Sequence, residues 1–339
     1  MSAFFKIVGL LILLGVAVGV GAYFYGRQSY ASEGPTTASG SMRTVIVEPG
    51  SSVRTIADKL TAVGAIEDDL PFRIAVRLTR TAPRLKAGEY AIDSGASLKD
   101  IIDQMVAGRV VFHAVTAPEG LTSAMILRRL AEEPILTGEL SEVTPAEGVL
   151  LPDTYMVQRG ESRQSVVARM IASQQALIAE LWPNRQPGLP FDTAEEAVIL
   201  ASVVEKETGI ASERPLVAAV FVNRLRRGMA LESDPTIIYG LTRGEPLGHG
   251  LRRSEIDRKN AWNTYQISGL PPTPICNPGR DAIAAVLNPP VTDALFFVAD
   301  GSGGHAFSSS YAEHLGNVSN LREIEARNAA LDPAAAVSN

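Results

Sequence analysis

The chain has 339 residues, of which 46% are hydrophobic, and its formal net charge is −6. This length allows about two or three domains, and the apolar fraction is large enough to form a sizeable core. The negative net charge gives no basis for nucleic-acid binding, which normally shows as a basic patch or stripe. The single cysteine, Cys276, excludes an internal disulfide framework and a multi-thiolate metal site.

The first predicted element is a membrane anchor at the N-terminus. Residues 7–26 carry no charge and lie between Lys6 and Arg27. At about 1.5 Å per residue, a helix of this length spans the roughly 30 Å hydrocarbon core of a bilayer. The alternative is a cleaved signal peptide, but the run is longer than the usual apolar stretch and ends in the interface-type aromatic cluster YFY. We expect an uncleaved single-pass anchor over residues 1–27 in the cytoplasmic (inner) membrane, with a cytoplasmic N-terminus and a periplasmic remainder.

Small α+β units follow the predicted anchor. Residues 28–42 are small and polar with interspersed Gly and Pro, which predicts a flexible linker. Segments 46–64 and 91–109 then share a strand-like start, a turn glycine and an amphipathic helix, and residues 115–133 have the same form. Any strand–turn–helix unit shows this pattern, so the repeat alone leaves its function open.

A hydroxyl side chain stands at the predicted start of each of these helices. Ser52 and Ser97 follow the turn glycines by two residues, and Thr122 holds the same place in the third unit. A serine or threonine at this position accepts a backbone N–H bond from the first helical turn. We therefore predict N-caps at Ser52 and Ser97.

One later helix carries two closely spaced glutamates, in the stretch ASVVEKETGI. The helix is predicted to begin with a capping box, formed by Thr193 and Glu196. At about 100° per residue, Glu207 falls in line with the apolar stripe, one turn beyond Val203. Glu205 falls on the opposite side of the helix, so we expect it to face solvent.

The position of Glu207 on the apolar side of this helix indicates a possible general acid. A carboxyl group held on an apolar face loses hydration as the anion, so its pKa rises. A glutamate with a raised pKa suits proton transfer to a glycosidic oxygen. Two alternatives stay open: Glu207 reaches solvent because the helix stops near Gly209, or it pairs with Lys206, which would lower its pKa.

Four long, ordered motifs run through the chain from residue 147 onwards. They are EGVLLPDTY, LASVVEKETGIASERPLVAAVFVNRLRRGMALESDPTIIYGL, NTYQISGLPPTPICNPG and FFVADGSGGHAFSSSYAEH. These motifs resemble the MltG (YceG-like) family of endolytic murein transglycosylases, and the resemblance extends from the anchor to about residue 325. It departs mildly at Cys276 and in the stretch TRGEPLGHG.

The resemblance implies an α+β fold in several parts. A LysM-like, glycan-contacting α+β region would cover residues 43–115. A mostly helical catalytic domain, lysozyme-like or YceG-like with a small β element, would cover 116–328. The Ala-rich composition of 329–339 predicts a disordered tail. The implied partners are peptidoglycan glycan strands and cell-wall synthases, with no cofactor and no metal.

The resemblance also implies the reaction and its residues. The family breaks the β-1,4 bond between N-acetylmuramic acid and N-acetylglucosamine without water, leaving a 1,6-anhydro end, and is expected to terminate growing strands. The second glutamate of the EKET motif is the family's catalytic residue, which is Glu207 here. Further motif positions are expected to contact the substrate: Asn223, Asp234, Thr236, Tyr239, Asn263, Tyr265, Pro271, Pro272, Asn277, His305 and Phe307. For each of these a structural role is an open alternative.

Other classes of function fit the sequence less well. A membrane-anchored peptidoglycan-binding scaffold without activity is the chief alternative. A zinc hydrolase is disfavoured because the four histidines, at positions 113, 249, 305 and 314, lack HExxH spacing. A serine hydrolase is disfavoured because no G-x-S-x-G turn is present.

Overall fold

A computed structural model of the chain describes residues 8–11, 13–17, 20, 28 and 30–331. Most of the predicted anchor therefore lies outside the described residues. Within the part that is described, no helix is both long and apolar enough to cross a membrane. The described residues divide into two compact units, the first made of those up to residue 114 with the short segments 135–137 and 156–161, and the second made of the others.

The first unit is a small mixed α/β structure. Its elements are β1 (Arg43–Val47), α1 (Val53–Ala62), α2 (Asp69–Leu78), β2 (Gly88–Ile92) and α3 (Leu98–Ala107). Strands β1 and β2 pair antiparallel, with Arg43 opposite Ile92. Its core is made of fully or almost fully buried side chains, among them Ile56, Leu60, Phe72, Tyr90, Ile101 and Met105.

The N-caps predicted for the repeated units are confirmed. The Ser52 hydroxyl accepts the Thr55 N–H at 3.1 Å. Ser97 forms a full capping box with Asp100. Helix α2 was not predicted; it begins at the cap Asp68, and its proline in the first turn obscures the apolar period. The two predicted turn glycines have the same left-handed φ of 80°, so each strand–helix turn uses the same backbone conformation.

The segment predicted as a flexible linker is fixed on the first unit over part of its length. The ring of Tyr30 packs against the core of that unit. The Gly34 N–H donates to the Gly95 carbonyl at 3.1 Å, and the Thr37 N–H donates to the Ser94 hydroxyl at 2.8 Å. The composition of 28–42 predicted flexibility, but these contacts hold residues 30–37 against the turn before α3.

The second unit is mainly helical. Strands β3 (Phe112–Thr116) and β4 (Thr154–Gln158) form a two-stranded sheet, and the division between the units falls within both strands. The helices are α4 (Ser123–Glu132), α5 (Arg163–Leu181), α6 (Ala194–Glu207), α7 (Arg214–Arg226), α8 (Asp234–Thr242), α9 (Arg253–Ile256), α10 (Arg280–Leu287) and α11 (Tyr311–Leu331). Strands β5 (Phe296–Ala299) and β6 (His305–Ser308) form an antiparallel hairpin before α11.

The core of the second unit lies between α6, α7 and α10. Leu200, Val203 and Val204 of α6 belong to one buried cluster with Phe221 of α7 and Ile283 of α10. The apolar stripe predicted for α6 is therefore confirmed. The disordered tail was predicted to begin at residue 329, but α11 continues to Leu331. Residues 332–339 lie outside the described part of the chain.

Candidate active site

Glu207 is the last residue of α6, and a capping box fixes the start of that helix. The Thr193 hydroxyl accepts the Glu196 N–H at 3.2 Å, and the Glu196 carboxylate accepts the Thr193 N–H at 3.0 Å, as predicted. Leu200, Val203 and Val204 are 0% exposed. The cap and the buried stripe together set the rotation of the helix, and they place Glu207 one turn beyond Val203.

The carboxyl group of Glu207 is set up to hold a proton near neutral pH. Burial raises its pKa to about 7 and is the largest influence on it. A hydrogen bond from the Ser233 hydroxyl to Oε1 lowers the pKa, the charge of Asp234 raises it, and the charges of His305 and Arg224 lower it. The raised pKa predicted from the helical wheel is confirmed.

Ser233, which the sequence reasoning missed, is itself held by a buried network of hydroxyl groups. Its N–H donates to the Thr264 hydroxyl at 2.9 Å, and its carbonyl accepts the Thr236 hydroxyl at 2.6 Å. The two threonine hydroxyls lie 2.9 Å apart. The predicted site residue Thr236 therefore supports the backbone of Ser233 through this hydrogen bond. The sequence could have indicated Ser233, because it is the first residue of the SDPT motif and directly precedes the predicted site residue Asp234.

Asp234 and Tyr265 form a polar pair on the accessible side of the unit. The Tyr265 hydroxyl donates to the Asp234 carboxylate at 2.8 Å, and 36% of Tyr265 is exposed. Burial is the largest cause that raises the pKa of the Tyr265 hydroxyl. The hydrogen bond to Asp234 and the charge of Asp234 raise it further. Both residues act electrostatically with Glu207, so the structure brings three predicted site residues together here.

His305 is held by Glu213 at the start of hairpin strand β6. One Glu213 oxygen accepts the His305 backbone N–H at 2.9 Å, and the other lies 2.7 Å from the ring Nδ1. The bond from His305 keeps the Glu213 pKa below its ordinary value. Glu213 was not among the predicted residues, although it lies in the ASER stretch of the catalytic motif.

The prediction that Glu205 faces solvent is wrong. Its side chain is only 5% exposed, and it lies 3.3 Å from the Arg214 guanidinium. The Gly279 N–H donates to its other oxygen at 2.9 Å. Burial raises the pKa of this carboxyl group as well. The helical wheel considered only the apolar side of α6, whereas the loop before α10 covers the other side.

The alternative pairing of Glu207 with Lys206 is not observed. Lys206 is exposed, and its ammonium group points to the Gly120 carbonyl at 3.4 Å. The carboxyl group of Glu207 therefore keeps its raised pKa without a lysine partner.

Three predicted amides are used inside the protein. Asn223 donates to two carbonyl groups of the loop before β5, at 2.8 and 3.0 Å. Asn263 and Asn277 are 0% exposed. Asn263 donates to two backbone carbonyl groups at 2.8 Å, and Asn277 accepts the Leu150 N–H at 3.0 Å. These contacts fit a structural role for the three residues rather than the substrate contact predicted.

The remaining predicted residues divide between core and surface. Tyr239 is 7% exposed and meets the edge of Trp262 at 5.6 Å between ring centroids. Phe307 is partly buried against the core of the second unit. Pro271 is buried, whereas Pro272 is exposed. Of these four predicted residues, Pro272 alone is exposed. Among the described residues, no cluster of His, Cys, Asp and Glu could hold a metal ion.

The described part of the chain combines two-stranded sheets, a helical core and, at a helix end, a glutamate with a pKa of about 7. A family model described as the YceG-like family matches residues 45–320. The chain belongs to the YceG-like family, which confirms the membership predicted from the motifs.

Named relatives of the chain are similar over most of its length. It is 26% identical to an endolytic murein transglycosylase of Bacillus subtilis, over 87% of this chain and 88% of that protein. It is 26% identical to an endolytic murein transglycosylase of Streptococcus pneumoniae, over 91% of this chain and 63% of that protein. A crystal structure of a YceG-like protein from Listeria monocytogenes matches with a TM-score of 0.51 and 26% identity, over 81% of this chain and 98% of that one. The fold is thus a mixed, YceG-like one.

Proposed function

We propose that this chain is an endolytic lytic transglycosylase of peptidoglycan, with Glu207 as its catalytic acid and base. The observation that carries the proposal is the environment of Glu207, whose pKa of about 7 lets one carboxyl group both give and take a proton near neutral pH. The names of the two curated relatives support the same reaction class.

One carboxyl group can serve both steps of this reaction. Glu207 gives its proton to the glycosidic oxygen as the bond from C1 of N-acetylmuramic acid breaks. The 6-hydroxyl of the same sugar then attacks C1, and its proton returns to Glu207. The product is a 1,6-anhydro end, and no water is consumed. Because the second step is intramolecular, the attacking group has a high effective concentration, and a second carboxylate to activate water is not required.

The neighbours of Glu207 take distinct parts in the proposal. The Ser233 hydroxyl occupies Oε1, which leaves Oε2 as the oxygen that exchanges the proton. Asp234 disfavours the anion of Glu207, and His305 favours it. Burial is the main cause that brings the pKa of Glu207 close to the pH at which the group must work in both directions. Tyr265 and Pro272 are exposed and offer an aromatic ring and a stiff surface to a sugar.

The finer assignments belong to the same proposal. Residues 1–27 would anchor the chain in the inner membrane, with the rest of the chain in the periplasm. Residues 43–115 would contact glycan as a LysM-like region, and 116–328 would form the lysozyme-like catalytic domain. The enzyme would end growing strands beside cell-wall synthases. The uncharged run at 7–26 and the separate compactness of the first unit support this arrangement.

Mass spectrometry of products from purified, uncrosslinked glycan strands tests the reaction. We expect 1,6-anhydro ends on fragments from the strand interior. Reducing ends formed with uptake of water would contradict the lytic mechanism, and disaccharides released only from strand ends would contradict the endolytic one. Binding of glycan with no product, by a wild-type protein that is folded, would favour the scaffold instead.

A further inference from the structure

Helix α2 of the first unit carries apolar side chains on two opposite faces. Its inner face is buried in the core of the unit through Phe72, Ala75 and Val76. Its outer face presents Leu70, Ile74 and Leu78, which are 51%, 48% and 76% exposed. At about 100° per residue, these three form one stripe that lies opposite the buried face. Such a stripe goes beyond scattered single apolar residues on a surface, which need no explanation.

Cations flank this stripe. From Leu70 to Lys86 the chain has five basic residues and no acidic one, although its net charge is −6. Arg73 and Arg77 fall next to the stripe on the helix surface, and Arg73 pairs with Asp69 at 2.9 Å. The three basic residues after the helix are exposed. An apolar stripe beside cations is the pattern of a helix that lies in the interface of an anionic membrane.

The course of the chain places α2 close to the predicted anchor. Residues Ser32–Pro35 line the same surface groove as Glu67, Asp68 and Pro71, which flank or belong to the first turn of α2. Tyr30 is packed against the core of this unit. Only a few residues separate Tyr30 from the end of the apolar run, and they span roughly 10–15 Å at most. A bilayer crossed by residues 7–26 would therefore lie within reach of this unit.

We propose that the outer face of α2 docks on the anionic surface of the membrane that holds the anchor. Leu70, Ile74 and Leu78 enter the boundary between headgroups and acyl chains, and Arg77 and its basic neighbours meet the lipid phosphates. The inference rests on the proposed membrane anchorage. A second copy of the chain is the weaker occupant, because a symmetric contact through this face would bring the basic flanks of the two copies together.

A site-specific fluorescence experiment on the full chain tests the docking. Cys276 is 0% exposed, so a thiol-reactive dye labels an introduced cysteine selectively. The labelled variant is Ile74→Cys, and the matched control is Asp58→Cys at an exposed position of α1 in the same unit. Each is reconstituted into vesicles of phosphatidylcholine with or without phosphatidylglycerol, and quenching by lipids that carry a spin label near the headgroup is measured.

We expect strong quenching at position 74 in phosphatidylglycerol vesicles, and little at position 58. Replacing Arg77 by Gln should lower the ratio of docked to undocked protein by roughly fivefold. Added salt should act in the same direction. Circular dichroism should be unchanged, since the substituted side chains lie at the surface.

Vesicle flotation in the same samples separates this proposal from the anchorage. If the chain floats with vesicles but position 74 is quenched no more than position 58, the docking is wrong and the anchorage stands. If the chain does not float, both are wrong. Quenching that is equal in the two lipid mixtures, or disulfide formation between position-74 cysteines of two copies, also overturns the anionic-surface assignment.

Discussion

The Ser233 hydroxyl donates a hydrogen bond to Oε1 of Glu207, and the backbone of Ser233 is tied to two buried threonines. The carboxyl group is thereby fixed in orientation at the end of a helix whose rotation is set by the buried stripe behind it. Positioning of this kind contributes to catalysis because a reacting group held in the productive geometry needs no further ordering.

Replacing Glu207 by Gln should abolish glycan cleavage, with a loss of at least about 10²- to 10⁴-fold from general acid–base catalysis alone. Glutamine keeps the shape and can still accept the Ser233 bond, but it cannot give a proton to the leaving oxygen. The measurement is release of anhydromuramoyl products, and Glu195→Gln, at an exposed position of the same helix, is the matched control. Normal turnover in the Glu207 variant would refute the assignment.

Glu205→Gln should destabilise the protein, although the helical wheel placed Glu205 in solvent. Glu205 is buried against Arg214 and Gly279, so its replacement should lower the melting temperature. Any loss of cleavage in that variant should recover when the assay temperature is reduced, whereas the loss in Glu207→Gln should not.

The Ser233→Ala variant should shift the pH dependence of cleavage. The Ser233 bond lowers the Glu207 pKa, which is about 7 in its presence. Removing the bond should therefore raise that pKa above 7. Cleavage requires the protonated acid, and the alkaline limb of the profile of kcat/KM should therefore move to higher pH. The maximal rate should fall because the carboxyl group is less well oriented. Ser233→Thr, which keeps a hydroxyl group, should restore the wild-type profile; an unchanged profile in the alanine variant would contradict the role given to Ser233.

Protein stability should also report the Glu207 pKa. The value rises from 4.5 to about 7 on folding. The stability contributed by the neutral group is fully present below 4.5 and is lost as pH rises through about 7. Glu207→Gln stays neutral, so it should melt several degrees higher than wild type near pH 8 and show no such gain near pH 4. Calorimetry at both pH values measures this, and a pH-independent difference would contradict the raised pKa.

The sequence predicted the features that depend on local physics. The N-caps at Ser52 and Ser97, the capping box at Thr193 and the burial of the α6 stripe all follow from residues within one helical turn or one helix face. Each is confirmed by the structure. The raised pKa of Glu207 followed from the same stripe.

The features that the sequence did not predict depend on distant chain segments. Glu205 is buried by Gly279, which is more than seventy residues away along the chain, and a helical wheel has no information about such a neighbour. Ser233 reaches Glu207 from the start of the next helix but one. The segment at 30–37 is polar in composition, yet backbone hydrogen bonds to a turn near residue 95 hold it in place.

Asn277 should prove essential for stability rather than for substrate binding. Its side chain accepts the Leu150 N–H and donates to the Leu121 carbonyl, and it is 0% exposed. Asn277→Ala should leave these buried groups without a partner, at about 1–3 kcal/mol for each. The melting temperature should drop while KM for glycan, measured well below that temperature, stays near the wild-type value. A large rise in KM with unchanged melting would restore the substrate role predicted from the motif.

Glu213 should act on Glu207 through His305. Its two oxygens hold the ring and the backbone N–H of His305, and the charge of His305 lowers the pKa of Glu207. His305→Ala should therefore move the alkaline limb of the cleavage profile to higher pH. Glu213→Gln should move it in the same direction by a smaller amount, because the imidazole loses the carboxylate that fixes its position.

The double variant decides whether Glu213 and His305 form one unit. If Glu213 works only by holding His305, its replacement in a His305→Ala background should cause no further shift, since coupled residues are not additive. The profile of kcat/KM against pH is measured for the wild type, both single variants and the double variant, with thermal melts as the folding control. Shifts that add in the double variant would show that Glu213 affects Glu207 independently of His305, and a wild-type profile in His305→Ala would remove both residues from the control of the Glu207 proton.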